Sequence, residues 1–456
     1  LEAIMKRILV LGAGRSAAYL IARLLEDATE RDWFLTVADA NVALARERVG
    51  KHPKAEAIAF DVNDATLRGS QIERADVVIS MLPARFQDLL AWDCVNHGKH
   101  LVSVSYRGQA VRELDMDARR KGVMLLCEMG LDPGIDHMSA MAVIRKLEGE
   151  GGRIVGFCSY GSGLPAPDST HNPLRYVVTW EPRNVVMAGL EGAQYMEDDQ
   201  IKIVPFHEVF DHTWSVELDG VGMLEAYANR DSLAYMKQFG LDHVRTMIRG
   251  TLRYPGWSET WSQVVRLGLP NETLTIPNLC DRTYAEVTEM FLPGIASASS
   301  LEQRVARFLN INPTGKIMEN LSWLGLFSDE TIGSCRGDTS AAMLIQLLQD
   351  KLPLLPDQRD MVALVHEIDV EYPGTNRAPE RVTSTLVTEG DAGGFTAMSK
   401  TVGLPVLIAV RLLLGGRLPQ TGSIIPTHPS IVEPVLDELA REGLQFSEKT
   451  EPLHVA

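Results

Sequence analysis

The sequence predicts an α/β protein with a parallel sheet in one domain and a mixed sheet in a second, on three observations. The stretch Lys6–Leu25 reads as a short apolar strand, a glycine turn and a helix with apolar residues on one face. Strand and helix patterns then alternate to about residue 126, which calls for parallel pairing with right-handed crossovers. From Ile154 to about Leu224 short apolar and β-branched runs take over, Val155–Tyr160, Tyr176–Thr179, Ile201–Pro205 and Trp214–Leu218, the mark of a strand-dominated region.

The first strand, Ile8–Leu11, has the length and branching of a buried parallel strand. It enters Gly12-Ala13-Gly14-Arg15-Ser16-Ala17, a G-x-G-x-x-A pattern, and Ala18, Ile21, Ala22 and Leu25 carry helical spacing beyond it. Gly12 suits the tight turn, Gly14 lets the backbone approach a pyrophosphate, and Ala17 permits close helix–strand packing. The helix start offers free N–H groups and its positive dipole end to phosphates. Alone, the pattern also fits a strand–turn–helix with no ligand; set between strand and helix, it predicts a Rossmann-type dinucleotide site that includes Arg15 and Ser16.

The second strand, Phe34–Ala38, ends at Asp39, 27 positions after Gly12. A carboxylate there accepts from both adenosine ribose hydroxyls and repels a 2′-phosphate, so Asp39 favours NAD(H). Asp39 or Asn41 also fits as the cap of the next helix. A third strand, Ala57–Phe60, leads to Asp61 in a polar turn suited to the adenine edge. The fourth, Val77–Ser80, leads to Met81-Leu82-Pro83, placing Ser80 and Leu82 near the nicotinamide ribose. A helix over Phe86–His97, a fifth strand His100–Val104 ending at Ser105-Tyr106, a helix over Glu113–Lys121 and a sixth strand Val123–Leu126 complete the series. Ligands bind outside the carboxyl ends of such strands, so Ser80, Ser105, Tyr106 and Glu128 fall on the ligand side. The next turn, Glu128 to His137, gathers Asp132, Pro133, Gly134, Asp136 and His137. It reads either as a helix entry capped by Asp136 or as acid–base groups brought to the cofactor edge.

Composition narrows the function. A net charge of −16 argues against nucleic-acid binding and means that an anionic substrate needs a local arginine pocket. The five cysteines, Cys94, Cys127, Cys158, Cys280 and Cys335, are scattered and form no C-x-x-C, so neither a disulfide framework nor a metal site is expected. No signal peptide is visible, and the apolar stretch Leu404–Leu414 contains Pro405 and Arg411 and is short for a bilayer crossing, so a cytoplasmic protein without membrane contact is expected. Leu1–Ile4, ahead of Met5, read as an added remnant. Two near-motifs fail: His207 and His212 are five apart where a zincin helix needs four, and Thr314-Gly315-Lys316-Ile317 lacks the glycine and hydroxyl of a phosphate loop.

Longer blocks carry a family resemblance. Gly130-Leu131-Asp132-Pro133-Gly134-Ile135-Asp136-His137, the run from Ser159 to Pro167, Asn172-Pro173-Leu174, Ala228-Asn229-Arg230-Asp231-Ser232 and Arg249-Gly250-Thr251-Leu252-Arg253-Tyr254 resemble saccharopine reductase, the glutamate-forming saccharopine dehydrogenase family. Trp323 to Ser328, Arg359 to Val362, Thr383 to Leu386, Gly393-Gly394 and Thr401-Val402-Gly403 extend the likeness over nearly the whole chain. The resemblance implies reductive joining of 2-aminoadipate 6-semialdehyde to glutamate, or the reverse, with NAD(P). It implies Tyr106 and Asp132 beside the reacting carbon–nitrogen bond, with Ser105 near them. It also implies Arg230, with Arg253, as carboxylate grips and Trp180 as a pocket wall; Arg249 and Arg253 also fit structural ion pairs, and Trp180 a core position. Two departures stand out. Gly161-Ser162-Gly163 replaces the family's Cys-Gly-Gly, and Asp39-Ala40-Asn41 stands where fungal NADP enzymes carry a basic residue.

The expected organisation is a discontinuous Rossmann-type domain over 5–135 and 395–456, with Phe395 to Leu414 a long apolar helix packing back on it. A mixed α/β substrate and dimerisation domain covers 136–394, with a helical insertion at about 232–351. A closable cleft between two lobes and a homodimer are expected. The rival readings are an imine-reducing enzyme for another amine and aldehyde pair, and a non-catalytic dinucleotide-binding sensor.

Overall fold

The computed structural model describes residues 5–294, 299–333 and 336–453; Leu1–Ile4, Cys335 and residues 454–456 lie outside that description. The chain divides into two compact units, one of residues 1–153, 372–378 and 384–450, the other of 154–371, 379–383 and 451–456.

The first unit is built on β1 (Lys6–Leu11), β2 (Trp33–Asp39), β3 (Ala55–Ala59), β4 (Val77–Ser80), β5 (His100–Ser103) and β6 (Met124–Leu126). All six expected strands are present within two residues of their expected bounds. They pair in parallel, with Leu11 opposite Ala38 on one side and Ser80 on the other. The strand order therefore reverses at β1, the switch point of a doubly wound sheet. The expected helix over Glu113–Lys121 is instead two short ones, Gln109–Glu113 and Asp115–Arg120, broken at Leu114. Asp136 does not cap the next helix: Ile135–Gly149 starts after Gly134, and Asp136 lies inside its first turn. That helix stays with the first unit, whose boundary falls after Arg153 rather than at 135, because it packs on the late helix Pro429–Arg441.

The second unit contains β7 (Arg153–Pro165), β8 (Ala193–Glu197), β9 (Gln200–Val204), β10 (Thr213–Leu218), β11 (Gly222–Ala228), β12 (Thr246–Arg253) and β13 (Asp360–Glu371). Its sheet is mixed: β12 runs parallel to β7 and antiparallel to β11. The order is β10-β11-β12-β7-β13, with β8 and β9 branching from β12. The expected strand over Tyr176–Thr179 is absent. The segment is buried, but its backbone finds other partners: Asn172 Nδ2 donates to Tyr176 O (2.8 Å) and Val178 N donates to Leu352 O (2.8 Å). The region 232–351 is largely helical, yet it also supplies β12.

β14 (Glu380–Glu389) is divided between the units by residue. The chain then forms the helix Ala397–Leu414, and β15 (Gly422–Ile424) adds a seventh parallel strand beside β6. The 18-residue helix is long and apolar enough to cross a membrane, which the shorter apolar stretch did not suggest; 78% of it is buried within the protein. It packs on the first helix, Ala18–Glu30, so closely that a Cβ on Gly403 would lie 3.0 Å from the Leu20 backbone and side chain. Arg411 clasps the buried Asp27 carboxylate with two bonds, at 2.6 and 3.0 Å.

Candidate functional site

The carboxyl rim of the parallel sheet gathers the expected cofactor residues. Gly12 follows β1 with φ +102°, a conformation that favours glycine, and its N–H donates to Ala38 O (2.8 Å). Gly14 caps a short 3₁₀ turn, Arg15–Ala17, ahead of the helix Ala18–Glu30. A Cβ on Gly14 would meet nothing within 4 Å, so the space above it is open, whereas one on Gly12 would press on Leu82 and Met81 at 3.3 Å. Ala17 is buried, Ser16 half-buried and Arg15 exposed. Open space over a glycine turn at a helix start fits a dinucleotide pyrophosphate.

Asp39 ends β2 half-buried. Its Oδ2 accepts from Ala13 N and its Oδ1 from Asn41 N, both at 2.7 Å. The side chain thus ties the glycine turn to the second strand, while Asn41 caps the next helix. Asp61 follows β3, exposed, accepting from Asn63 N at 2.9 Å. Ser80 differs from expectation: it is 1% exposed inside the β4 ladder, so the accessible rim at this strand is Met81-Leu82-Pro83. Ser105 donates through its hydroxyl to Leu82 O (3.0 Å), joining the ends of β4 and β5. Tyr106 and Asp132 are half-buried at the same rim, after β5 and β6 respectively.

Behind Tyr106 and Asp132 lies a network whose wiring spacing did not reveal. Glu128, Asp136 and His137 are all buried, with His137 Nε2 2.6 Å from Glu128 Oε2 and Nδ1 3.0 Å from Asp136 Oδ2. Burial alone pulls the His137 pKa down, but the two carboxylates reverse this and raise it to about 9. Burial, the largest single influence, pushes Glu128 upward, but its hydrogen bond and charge attraction to His137 and the Arg107 N–H together outweigh it and leave its pKa below its ordinary value. The signal in the sequence was an Asp-His pair opening a helix nine residues after a strand-end glutamate.

In the second unit the structure joins Arg253 and Trp180 but not Arg230. Arg253 is 4% exposed, its guanidinium carbon 4.7, 5.0 and 5.7 Å from the ring centres of Trp257, Tyr176 and Tyr227. Its Nη1 donates to Ser162 Oγ (2.7 Å) and its Nε has no hydrogen-bond partner among the described residues. Ser162 belongs to the block that departs from the family's cysteine. Trp180 is half-buried and donates through Nε1 to Tyr176 OH at 3.1 Å. Arg230 lies at the other end of the β11–β12 ladder, exposed and 2.7 Å from Glu191. Arg249 is buried over the Tyr235 ring at 4.2 Å. A separate cavity of about 620 Å³ lined by Phe210, Glu225, Glu259 and Lys316 includes none of the expected site residues.

Comparison with known proteins agrees with this division of labour. Residues 8–126 match the saccharopine dehydrogenase NADP binding domain and residues 130–444 the saccharopine dehydrogenase C-terminal domain. The chain is 33% identical to the NADP(+), L-glutamate-forming saccharopine dehydrogenase of Saccharomyces cerevisiae, covering 98% of this chain and 99% of that one. The enzyme of the same name from Schizosaccharomyces pombe is 31% identical, with 98% and 99% coverage. The solved apo structure of the L-Glu-forming saccharopine dehydrogenase from Saccharomyces cerevisiae superposes with a TM-score of 0.84 at 31% identity, covering 98% of this chain and all of that one.

Proposed function

The chain belongs to the saccharopine dehydrogenase family, and from that premise we propose that it interconverts saccharopine and water with 2-aminoadipate 6-semialdehyde and glutamate. The observation that carries this reading is the Tyr106 and Asp132 pair on the same sheet rim as an open glycine turn. A bound nicotinamide dinucleotide would supply the hydride acceptor or donor. The remaining chemistry falls to the protein. Oxidation of the secondary amine gives an imine, water adds to it, and the carbinolamine carbon–nitrogen bond breaks to release glutamate. Each stage moves a proton, and Asp132, with Tyr106 beside it, is assigned that task or the holding of the secondary ammonium. Arg253 is assigned a substrate carboxylate, for which a largely desolvated planar guanidinium is suited. Arg230 would add a second grip by exchanging its exposed Glu191 partner. Trp180 walls the pocket through Tyr176.

The cofactor assignment has two supports that point apart. The matched relatives are named for NADP, whereas Asp39 puts a carboxylate at the ribose end of β2. We propose NAD(H) as the preferred cofactor, with NADP(H) usable. The test is absorbance at 340 nm with purified protein, saccharopine and either dinucleotide. Expected is turnover with NAD favoured by about tenfold or more, equivalent to about 1.4 kcal/mol. Turnover favouring NADP removes the argument from Asp39. Dinucleotide binding without saccharopine turnover in either direction removes the substrate. The same reading takes the protein as a cytoplasmic homodimer, to be checked by fractionation and light scattering.

A further inference from the structure

Glu128 and Asp136 are wired alike. Glu128 brackets Tyr106: its main-chain N–H donates to Ser105 O (3.0 Å) and its Oε1 accepts from Arg107 N (2.9 Å). Asp136 brackets Asp132-Pro133: its main-chain N–H donates to Leu131 O (3.0 Å) and its Oδ1 accepts from Gly134 N (2.6 Å). The second oxygen of each carboxylate faces the same imidazole, that of His137, at 2.6 and 3.0 Å. Ionised carboxylates only accept hydrogen bonds, so an imidazole hydrogen-bonded to Glu128 through Nε2 and in ion-pair contact with Asp136 at Nδ1 is favoured in its doubly protonated form. His137 is 0% exposed and cannot reach a substrate.

We propose that Glu128, His137 and Asp136 form a clamp that fixes the spacing and orientation of Tyr106 and Asp132, with His137 its central positioning residue. A buried ionic trio is a poor way to gain stability, since apolar side chains of the same volume often do as well. It is a good way to hold two turns in one register, because each carboxylate uses one oxygen for a turn and the other for the ring. Removing the ring leaves both turns formed and lets them drift relative to each other. Rate is sensitive to such drift, a misplacement of about 1 Å costing roughly a hundredfold.

The clamp rests on the roles proposed for Tyr106 and Asp132, and a double-variant cycle separates the two ideas. Turnover of saccharopine would be measured for His137→Gln, Asp132→Ala and the pair, per mole of protein able to bind dinucleotide. Expected is a fall in kcat of about 10- to 100-fold for His137→Gln with dinucleotide affinity retained. In the Asp132→Ala background the same change should cost about threefold or less, because the group being positioned is gone. Equal costs in both backgrounds, or an unchanged kcat for His137→Gln, overturn the clamp. Wild-type turnover in Asp132→Ala instead overturns the assignment of Asp132, whatever His137→Gln does. If His137→Gln does not fold, the isosteric Glu128→Gln replaces it in a cycle with Tyr106→Phe, read the same way.

Discussion

The sheet rim of the first unit and the arginine box of the second are opposite kinds of site. The rim is a backbone construction: strand ends in parallel register, a glycine turn, N–H groups at a helix start and a carboxylate that braces the turn. Its side chains are mostly short or half-exposed. The box is a side-chain construction: one buried guanidinium, three aromatic rings from separate stretches of chain and one hydroxyl. The rim should therefore tolerate side-chain change and fail when a backbone approach is blocked. The box should tolerate apolar filling and lose all specificity when its charge goes.

The strongest break of that contrast is Arg253→Met. Methionine fills a similar volume among Tyr176, Tyr227 and Trp257, so folding should survive, since apolar replacement of buried charge is often neutral. Losing a buried charge partner for a carboxylate costs about 2–5 kcal/mol, so kcat/KM for saccharopine should fall by roughly 30-fold to several thousandfold. Dinucleotide affinity should not move. Steady-state kinetics beside dinucleotide titration checks this, and unchanged saccharopine kinetics would return Arg253 to a structural role.

Next in size is Asp132→Ala, expected to lower turnover by at least about tenfold, as loss of an acid–base group or charge partner does. Near wild-type kinetics would sink the role assigned to it. The rim itself is probed by two alanines. Gly14→Ala places a methyl group in open space at φ −62°, so melting should be unchanged while dinucleotide affinity drops by about tenfold, or 1.4 kcal/mol. Gly12→Ala meets Leu82 and Met81 at φ +102° and should cost about 1–3 kcal/mol of stability. Equal effects of the two on melting would erase the distinction between turn and cradle.

The same contrast explains what the sequence could tell. The six strands and the glycine turn were legible because each is a local pattern whose period or spacing is written in consecutive residues. β15 was not, since three residues between a Gly-rich turn and a helix carry no period and gain strand status only from Met124–Leu126. Tyr176–Thr179 looked like a strand because burial and ladder pairing favour the same residues, and only Asn172 and Leu352 reveal that its hydrogen bonds go elsewhere. Arg253 could be named from the family block, but its box could not: Ser162, Tyr176, Tyr227 and Trp257 converge only in the fold. Ser162 sat inside the block that departs from the family, and its service to Arg253 appears only in space.

The last expected effect concerns the clamp and runs with pH. His137 is held at about 9 against an ordinary 6.5, because Asp136 and Glu128 outweigh its burial. A pKa raised by folding contributes stability that is complete below the unfolded value and is lost as pH rises through the folded one. Glu128 runs the other way: its pKa is lowered on folding, so its contribution is complete above the ordinary carboxylate range and is lost on acidification. The melting temperature of the wild type should therefore hold from about pH 5 to 6.5 and decline between pH 6.5 and 9. In His137→Gln the alkaline decline should shrink, since the group that loses its proton is gone. Melting curves across that range, in one buffer series at constant ionic strength, make the comparison. An identical decline in both proteins would mean that the buried ring is not the group titrating, and that the charge pattern of the clamp must be redrawn with the proton on a carboxylate.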